Sequence, residues 1–306
     1  MKDNYPLVSV CVITYNSAKY ILETLNSIEQ QTYKNMELII SDDCSNDNTV
    51  DICQEWLDGH KERFIKTRIL RADKNTGISA NCNRAYKAAS GIWIKGIAGD
   101  DYLYPNAIET YINFINNASE TPDIIFAKVC PIYCGQVVNV SKIFKYSYFE
   151  LTPKEFQYLL LTRNFLPAPS SFLNKEYFIN SRGYDENIPM LEDWPFWIKA
   201  VCNNASIAFI DSFTVYYRVL STSTSYARNK VYTHSEQMAR ELSLSYQKRL
   251  SKLLWSYSKI NMISHMSTSL FIKACMRAIN LINPMTLYLF LLQKKADLKG
   301  ATKDYY

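Results

Sequence analysis

Two adjacent carboxylates, Asp100 and Asp101, directly follow a short run of β-branched and aromatic residues from Ile92 to Ile97. Such a run predicts a strand, and an open α/β sheet binds its ligands at the carboxyl ends of its strands. Carboxylate oxygens placed there suit Mg²⁺ or Mn²⁺ shared with a phosphate. The pair fits a polar loop that caps the next helix equally well, so the rest of the chain has to decide.

A second acidic pair, Glu192-Asp193, stands between Leu191 and Trp194. A hydroxyl group is a poor nucleophile until a positioned base removes its proton, and a carboxylate beside apolar residues suits that task because desolvation raises its pKa. The alternative is a helix N-terminus, where the helix dipole favours acidic residues.

A regular alternation of strands and helices positions these groups. It predicts a doubly wound, mostly parallel α/β sheet with helices on both faces. Strands one, two and four each end in polar or acidic residues, so we expect a nucleotide cleft along that edge. The predicted strands are Leu7–Thr14, Glu37–Ser41, Phe64–Leu70 and Ile92–Ile97, and the predicted helices are Lys19–Gln31, Val50–Leu57 and Ala80–Ala89, the last with Ser79 as its N-cap.

The second half of the chain is less regular. Pro105 suits the first turn of a helix that reaches about Asn117. The segment Phe165–Leu173, with two prolines and two serines, is expected to form a wall of the site. The other predicted elements are a strand Asp123–Val129, a hairpin within Cys130–Phe165 followed by a helix from Pro153, a helix Pro195–Cys202, a strand Ser206–Ile210, and helices from Tyr232 with no turn cluster before Asn283-Pro284.

Charge is unevenly distributed along the 306 residues. Residues 226–306 hold 13 Lys and Arg against 4 Asp and Glu, whereas the net charge of the first 225 is −4. We therefore predict a domain of residues 1–225, with a nucleotide-sugar-binding half (1–129) and an acceptor half (130–225), and a basic helical C-terminal extension (226–306). A basic tail on an acidic body argues against nucleic-acid binding. It fits either a solvated helical face or peripheral attachment to anionic lipid.

Cysteine usage and hydropathy predict a cytoplasmic location. The 8 cysteines form no CxxC pair, and Met1–Pro6 has no apolar core of the kind found in signal peptides. No stretch reaches the roughly 18–20 apolar residues of a membrane span. The three histidines, His60, His234 and His265, fit no metal or triad spacing and are expected to be structural or surface residues.

Five short motifs occur in an order that resembles the family 2 glycosyltransferases, which have the GT-A fold. The resemblance covers about residues 7–225, and the order is far more specific than any single motif. The motifs are TYN at the end of Val8–Asn16, SDDCSNDNT at Ser41–Thr49, NTG at Asn75–Gly77, GDD at Gly99–Asp101, and Glu192-Asp193 followed by Trp.

The resemblance implies a nucleotide-sugar donor and inversion at the anomeric carbon. By the same likeness, Asp193 is the catalytic base, Asp101 with Asp100 binds the divalent ion, and Asp43 accepts a hydrogen bond from a uracil base. Arg218 is expected to pair with phosphate. The remaining donor-site residues that it implies are Thr14, Tyr15, Asn16, Asp42, Asn75 and Gly77, with the Asp42/Asp43 pair open to the simpler interpretation that it caps a helix.

Three positions depart from the family pattern. Ala98 stands where many relatives have a third aspartate, Cys82 where they have an arginine, and Leu220 where they have a histidine. Arg84 or Lys95 would have to supply the positive charge missing at Cys82. The serine- and threonine-rich run Ser221–Ser225 is expected to close over the donor as a lid.

The leading hypothesis is a metal-dependent, inverting glycosyltransferase that uses a UDP-sugar. Its acceptor would be a glycan or a lipid-linked glycan of surface polysaccharide synthesis, on the inner face of the membrane. The alternative is a non-catalytic relative that binds nucleotide or glycan. A sugar-nucleotide pyrophosphorylase ranks low, because Tyr15-Asn16-Ser17 offers no glycine-rich basic loop after the first strand.

Overall fold

A mixed sheet of nine strands organises the computed structural model, which describes residues 5–138, 144–220, 230–266 and 269–301. Its first block is parallel and has the strand order β3-β2-β1-β4. The two central strands of this block, β1 and β2, are buried almost throughout because both of their faces are covered, and β1 is a nearly continuous apolar, β-branched run. These strands are β1 (Val8–Thr14), β2 (Met36–Asp42), β3 (Thr67–Arg71) and β4 (Trp93–Ala98).

The second block continues the same sheet with mixed pairing. Strand β8 pairs antiparallel with both β4 and β6, and β6 pairs parallel with β9 and antiparallel with β7. The short strand β5 pairs antiparallel with β9. The block comprises β5 (Tyr102–Leu103), β6 (Ile124–Tyr133), β7 (Gln136–Val137), β8 (Phe172–Asn174) and β9 (Ile207–Arg218).

Helices cover both faces of the sheet, as the sequence predicts for a doubly wound fold. Alternate residues of β1 separate the two cores: Val10 packs with α1, α2 and α4 on one face, and Cys11 packs with α3 and α7 on the other. The helices are α1 (Ile21–Glu29), α2 (Thr49–His60), α3 (Ile78–Ala88), α4 (Ala107–Asn117), α5 (Pro153–Leu160), α6 (Lys175–Asn180) and α7 (Asp193–Cys202).

Several local boundaries differ from the sequence predictions; β3, for example, begins at Thr67 instead of Phe64. Helix α4 begins at Ala107, so Pro105 precedes the helix instead of lying in its first turn. The N-cap of α3 is Gly77, at φ +88°, and Ser79 lies inside the helix. Strand β9 continues to Arg218, because β5 and the end of β6 provide partners beyond Ile210. The predicted helix at Pro153 is confirmed, with a capping box from Thr152.

Four helices follow β9 in the described part of the chain: α8 (Lys230–Leu250), α9 (Lys252–Met266), α10 (Leu270–Leu281) and α11 (Pro284–Ala301). Among the described residues they break at Ser251 and Ser269 as well as at the predicted Asn283-Pro284. Apolar residues of α8, α9 and α11 join the core that contains α3 and α7. The division at residue 225 stays a prediction. No single described helix is long and apolar enough to cross a membrane, and α10 with α11 meets that test only as a pair bent by 74°.

Candidate active site

The parallel register brings the predicted donor residues to one edge of the sheet. Thr14 of β1 lies opposite Asp42 of β2, and Ile13 lies opposite Ala98 of β4. The turns after these three strands therefore meet, as expected at the carboxyl edge of a parallel sheet.

Asp42 and its neighbours build the turn that shapes this edge. The carboxylate of Asp42 is fully buried and accepts hydrogen bonds from Thr14 Oγ1 (2.9 Å) and from the backbone and hydroxyl of Ser45. Asn16, in the left-handed region at φ +51°, donates its N–H to Ser45 Oγ (2.8 Å). Tyr15 between them is 47% exposed, so its ring is accessible at the cleft. Thr14, Asn16 and Asp42 thus fix the shape of the turn.

Asp43 is held by the loop that carries Asn75 and Gly77. Its Oδ2 accepts from the N–H groups of Thr76 (2.9 Å) and Gly77 (2.8 Å), and its Oδ1 accepts from Thr76 Oγ1 and Arg84 Nη2 (3.2 Å). A carboxylate offers about four acceptor sites, so these contacts use them all. The predicted contact from Asp43 to a nucleobase therefore requires the Thr76 or Arg84 hydrogen bond to open.

Asp100 and Asp101 lie in the turn after β4, beside the end of β9. The Asp101 carboxylate is 3% exposed and accepts from the backbone N–H of Arg218 (2.8 Å). Burial, and secondly the charge of Asp100, raise the pKa of Asp101 well above its usual value. The pKa of Asp100 is also raised by burial, and the positive charge of Arg218 opposes only part of that rise. Two carboxylates side by side in such a turn are oxygen ligands of the kind that Mg²⁺ or Mn²⁺ uses.

The cations predicted near the donor have protein partners in the structure. Arg218 Nε donates to the carbonyl oxygen of Asp100 (2.9 Å), its Nη2 pairs with Glu23, and its guanidinium lies over the Tyr20 ring (4.4 Å). Arg84 pairs with Asp43. Lys95 is fully buried, and its Nζ donates to the carbonyl oxygens of Gly96 and Pro169 (both 2.6 Å).

In this conformation, neither Arg84 nor Lys95 therefore supplies the positive charge that relatives have at the position of Cys82. Burial lowers the pKa of Lys95 to about 7. Arg218 does lie next to the Asp100–Asp101 turn, where the sequence places it, but its contact with phosphate stays a prediction. The predicted lid, Ser221–Ser225, lies outside the described residues.

Glu192 and Asp193 lie at the start of α7. Asp193 Oδ1 accepts from the N–H of Trp194 (2.6 Å), and Oδ2 accepts from Asn164 Nδ2 (2.7 Å), next to the predicted wall Phe165–Leu173. Burial raises the pKa of Asp193, and these two hydrogen bonds oppose the rise. Burial, and secondly the charge of Asp193, raise the pKa of Glu192 to about 8. A base with a raised pKa suits proton abstraction near neutral pH.

Helix α3 connects the donor edge to the segment that leads into Asp193. On one side, Asn81 donates to the carbonyl oxygen of Thr14 (3.1 Å) and accepts from Ser41 Oγ. On the other side, Asn83 Nδ2 donates to the carbonyl oxygen of Tyr184 (2.9 Å), and its Oδ1 accepts from the Tyr184 N–H (2.9 Å). Ser79 Oγ donates to the Ile188 carbonyl oxygen.

Sequence reasoning missed this connecting role of α3. Ser79, Asn81 and Asn83 are each at most 2% exposed, and buried polar side chains need hydrogen-bond partners. The available signal was the alternation of short polar residues along a helix, which places them on two opposite sides. Close packing reinforces the contact: a Cβ on Gly183 would come within 2.6 Å of Asn83 Oδ1.

The donor chemistry of the turn after β4 fits a divalent cation bound with a ligand. Within the described residues, no cluster of three or more His, Cys, Asp or Glu side chains could hold a metal by itself. Asp100 and Asp101 would supply the two protein carboxylates. Mg²⁺ commonly binds in this way, through one or two carboxylates, phosphate oxygens and water. His60, in contrast, stacks on Trp56 (ring centroids 4.3 Å apart), as a structural residue does.

The chain belongs to glycosyl transferase family 2, whose model matches residues 9–178. An uncharacterised glycosyltransferase of Methanocaldococcus jannaschii is 28% identical over 220 residues, which cover 70% of this chain and 71% of that protein. The glycosyltransferase GlyG of Streptococcus pneumoniae is 26% identical over 225 residues, covering 69% of this chain and 70% of GlyG. A Rickettsia bellii glycosyltransferase matches over 76% of this chain but only 32% of its own length.

Solved structures confirm the GT-A fold. The structure of Staphylococcus aureus TarS 1–349 in complex with UDP-GlcNAc aligns with a TM-score of 0.61 and 20% sequence identity. The alignment covers 94% of this chain and 88% of the TarS chain. The predicted fold, including helices after the sheet, is therefore correct.

Proposed function

We propose that this protein transfers a sugar from a nucleotide-diphosphate donor to an acceptor hydroxyl, with inversion at the anomeric carbon. One observation carries the proposal: buried polar side chains on opposite sides of α3 bond the strand ends and the segment before Asp193. The strand ends of the donor edge and the segment that leads to an acid suited to a base are thereby held by the same helix. Family membership supplies the reaction class.

For the donor we propose a UDP-sugar. TarS, which shares the fold, has been solved with UDP and with UDP-GlcNAc. The exposed Tyr15 ring offers a stacking surface for a base at the carboxyl edge of the sheet. Release of Thr76 from Asp43 would free a carboxylate oxygen for a base N–H. The other proposed donor contacts come from Asn75 and Gly77, in the loop that Asp43 holds.

Asp101 and Asp100 are proposed to hold Mn²⁺ or Mg²⁺ together with the donor diphosphate. A bound divalent cation would neutralise the charge that develops on the leaving group. The chain prepares this site by burying Asp101 and by fixing one of its oxygens with the Arg218 N–H. Arg218 is proposed to reach phosphate after leaving Glu23, and a bidentate guanidinium suits that contact.

Asp193 is the proposed catalytic base. Its two hydrogen bonds orient the carboxylate, and burial keeps its pKa above the usual aspartate range. Inversion requires one base on the face opposite the leaving group, so no covalent intermediate on the enzyme is needed. The neighbouring Glu192, whose pKa burial and the charge of Asp193 raise to about 8, keeps its proton when Asp193 ionises.

The proposed acceptor is a glycan or a lipid-linked glycan, as in surface polysaccharide synthesis on the cytoplasmic side of a membrane. A stretch of 105 residues is 38% identical to chondroitin synthase of Escherichia coli, which supports a glycan acceptor. That stretch covers 34% of this chain and 14% of the synthase, so the proposal does not extend to the chemistry of chondroitin.

Calorimetry with UDP, GDP and a panel of UDP-sugars, in Mn²⁺ and in EDTA, tests the donor site. We expect UDP to bind in Mn²⁺ and to bind at least about tenfold more weakly in EDTA. Asp58→Asn, an exposed acid on α2, serves as the control variant and should bind like the wild type. A folded protein that binds no nucleotide under either condition would contradict the proposal.

A non-catalytic nucleotide- or glycan-binding protein is the second candidate. The observation in its favour is that Arg84, Lys95 and Arg218 all have protein partners, so no one of these three cations is free for a leaving group. Hydrolysis or transfer of a UDP-sugar by the wild type, lost in Asp193→Asn, would exclude this candidate.

A further inference from the structure

Helix α10 exposes its apolar side and buries a polar residue. The residue that it buries is Asn280, whose Nδ2 donates to Tyr257 O (3.2 Å) and Asn261 Oδ1 (2.8 Å) of α9. At the other end, Leu270 is 82% exposed and Phe271 is 78% exposed. This is the reverse of the pattern expected for a helix at the surface of a water-soluble domain.

The first half of helix α11, residues 284–292, is largely apolar around its circumference, but the protein covers only one side. Met285, Leu289, Leu292 and Ala296 form the covered stripe in the core. On the uncovered side, Leu287 and Leu298 are 62% and 70% exposed. A helix that is apolar all round belongs in a core or in lipid, so the uncovered side lacks its second partner.

Together the two helices form one C-terminal apolar face. Every side chain in it is more than half exposed, and scattered single apolar residues, which are normal on a protein surface, do not account for such a cluster. The face consists of Leu270, Phe271, Leu281, Ile282, Leu287, Phe290, Leu291 and Leu298.

We propose that the C-terminal apolar face rests on an anionic lipid surface. Residues 252–301 hold seven Lys and Arg and one acid, Asp297, which is paired with Lys145 (3.1 Å). Apolar side chains flanked by basic residues are the combination with which interfacial helices bind anionic membranes. Lys294 and Phe290 provide an example of this combination, because Lys294 Nζ lies 5.8 Å from the centroid of the Phe290 ring.

A second copy of the chain fits this face less well. A two-fold interface would bring the basic surroundings of one copy against those of the other, and like charges brought together cost binding energy. The bend of 74° between two short helices suits a shallow position in the headgroup region. An isolated crossing of the bilayer requires a longer uninterrupted helix.

The face borders a cavity beside the proposed catalytic segment. Phe290 belongs to the face and also lines a cavity of about 520 Å³, whose walls include Trp194, next to Asp193, and Arg240 of α8. Arg240 lies over the Trp194 ring at 5.6 Å. If the proposed function holds, seating the face on lipid brings a lipid-linked acceptor close to that segment.

Vesicle flotation with the full chain tests the inference. We expect the protein to float with vesicles that contain phosphatidylglycerol and to float far less with pure phosphatidylcholine. Raising the salt concentration should weaken binding. Replacing four apolar side chains of the face with serine should reduce the vesicle partition coefficient at least about tenfold, because each methylene group buried in lipid contributes to binding. That variant carries Leu270→Ser, Phe271→Ser, Leu281→Ser and Ile282→Ser.

Matched controls separate this test from folding and from catalysis. Ile65→Ser and Val137→Ser remove apolar residues that are 68% and 65% exposed outside the face, and should float like the wild type. Asp193→Asn should also float fully, because lipid binding does not depend on transfer. Wild-type protein that stays off anionic vesicles, or that forms dimers abolished by the four-residue variant, would overturn the inference.

Discussion

The acids after β2 and the acids that start α7 have opposite surroundings. Asp43 accepts four hydrogen bonds from Thr76, Gly77 and Arg84, so the protein itself satisfies its charge. Asp193 accepts two, lies against Glu192, and has a pKa raised by burial. The first arrangement stabilises a loop, whereas the second leaves a carboxylate poised to take a proton.

The same contrast holds between Asp42 and Asp101. Both are buried at the carboxyl edge of the sheet, yet Asp42 is bonded by Thr14 and Ser45, and Asp101 lies next to a second carboxylate. Neighbouring acids in one cleft therefore divide into those that hold the architecture and those that await a ligand or a reactant. Each substitution below tests one side of that division.

The largest expected effect is on turnover. Asp193→Asn should lower the rate of sugar transfer by about 10²–10⁴-fold, because the amide cannot take the acceptor proton. Steady-state assays with a UDP-sugar and a glycan acceptor measure it. Asp211→Asn, an exposed acid on β9, is the control and should keep its rate. A rate within a few-fold of the wild type would remove Asp193 from the base role.

The free energy of unfolding should depend on Asp43 more than on Asp193, the reverse of the order expected for turnover. Asp43→Asn should lower the free energy of unfolding by about 2 kcal/mol, because the amide cannot accept all four hydrogen bonds and leaves Arg84 without its partner. Asp193→Asn should leave that energy unchanged or raise it, because its raised pKa means that the folded protein disfavours the charged form. Urea denaturation of both variants and of Asp58→Asn measures the difference. Equal losses in the Asp43 and Asp193 variants would remove the distinction.

The connection through α3 should show a smaller effect. Asn83→Ala leaves the N–H and carbonyl of Tyr184 without their side-chain partner and should cost about 1–2 kcal/mol of unfolding free energy. Turnover should fall further than UDP affinity, because the segment before Asp193 loses its support. Asn117→Ala, an exposed asparagine on α4, is the control. Equal losses of UDP affinity and of turnover would show that α3 supports only the donor edge and not the segment before Asp193.

The smallest predicted effect is on pH dependence. Asp193 acts as a base only when ionised, and its raised pKa means that activity should increase with pH through a range above that of ordinary aspartate. Glu192, with a pKa of about 8, is protonated over that range, so Glu192→Gln should leave the acidic limb of the rate profile within about half a pH unit of the wild type. A limb that moves down by about one pH unit or more would show that Glu192 is ionised beside the base.

The sequence was sufficient for the fold and for the location of the acids. Continuous β-branched runs such as Val8–Thr14 predict buried parallel strands, and the ends of three strands predict the edge where Asp42 and Asp101 lie. Strand boundaries shifted where long-range pairing decides, as when β9 extends to Arg218.

The partners of the charged groups could not be predicted. Arg218 pairs with Glu23, which is 195 residues away, and Lys95 bonds to Pro169 in the segment expected to form a wall. A local sequence pattern does not distinguish an aspartate whose carboxylate is hydrogen-bonded by a distant loop from one whose carboxylate lacks a positively charged partner. That difference is made by tertiary contacts such as those of Thr76 with Asp43.

The most direct test of the division is UDP affinity in Mn²⁺, measured side by side for Asp101→Asn and Asp193→Asn. The account predicts that Asp101→Asn weakens UDP binding at least about tenfold, because it removes a carboxylate from the cation site. It predicts that Asp193→Asn binds UDP like the wild type. Equal affinity in both variants, or a loss confined to Asp193→Asn, would contradict the assignment of these two acids to separate tasks.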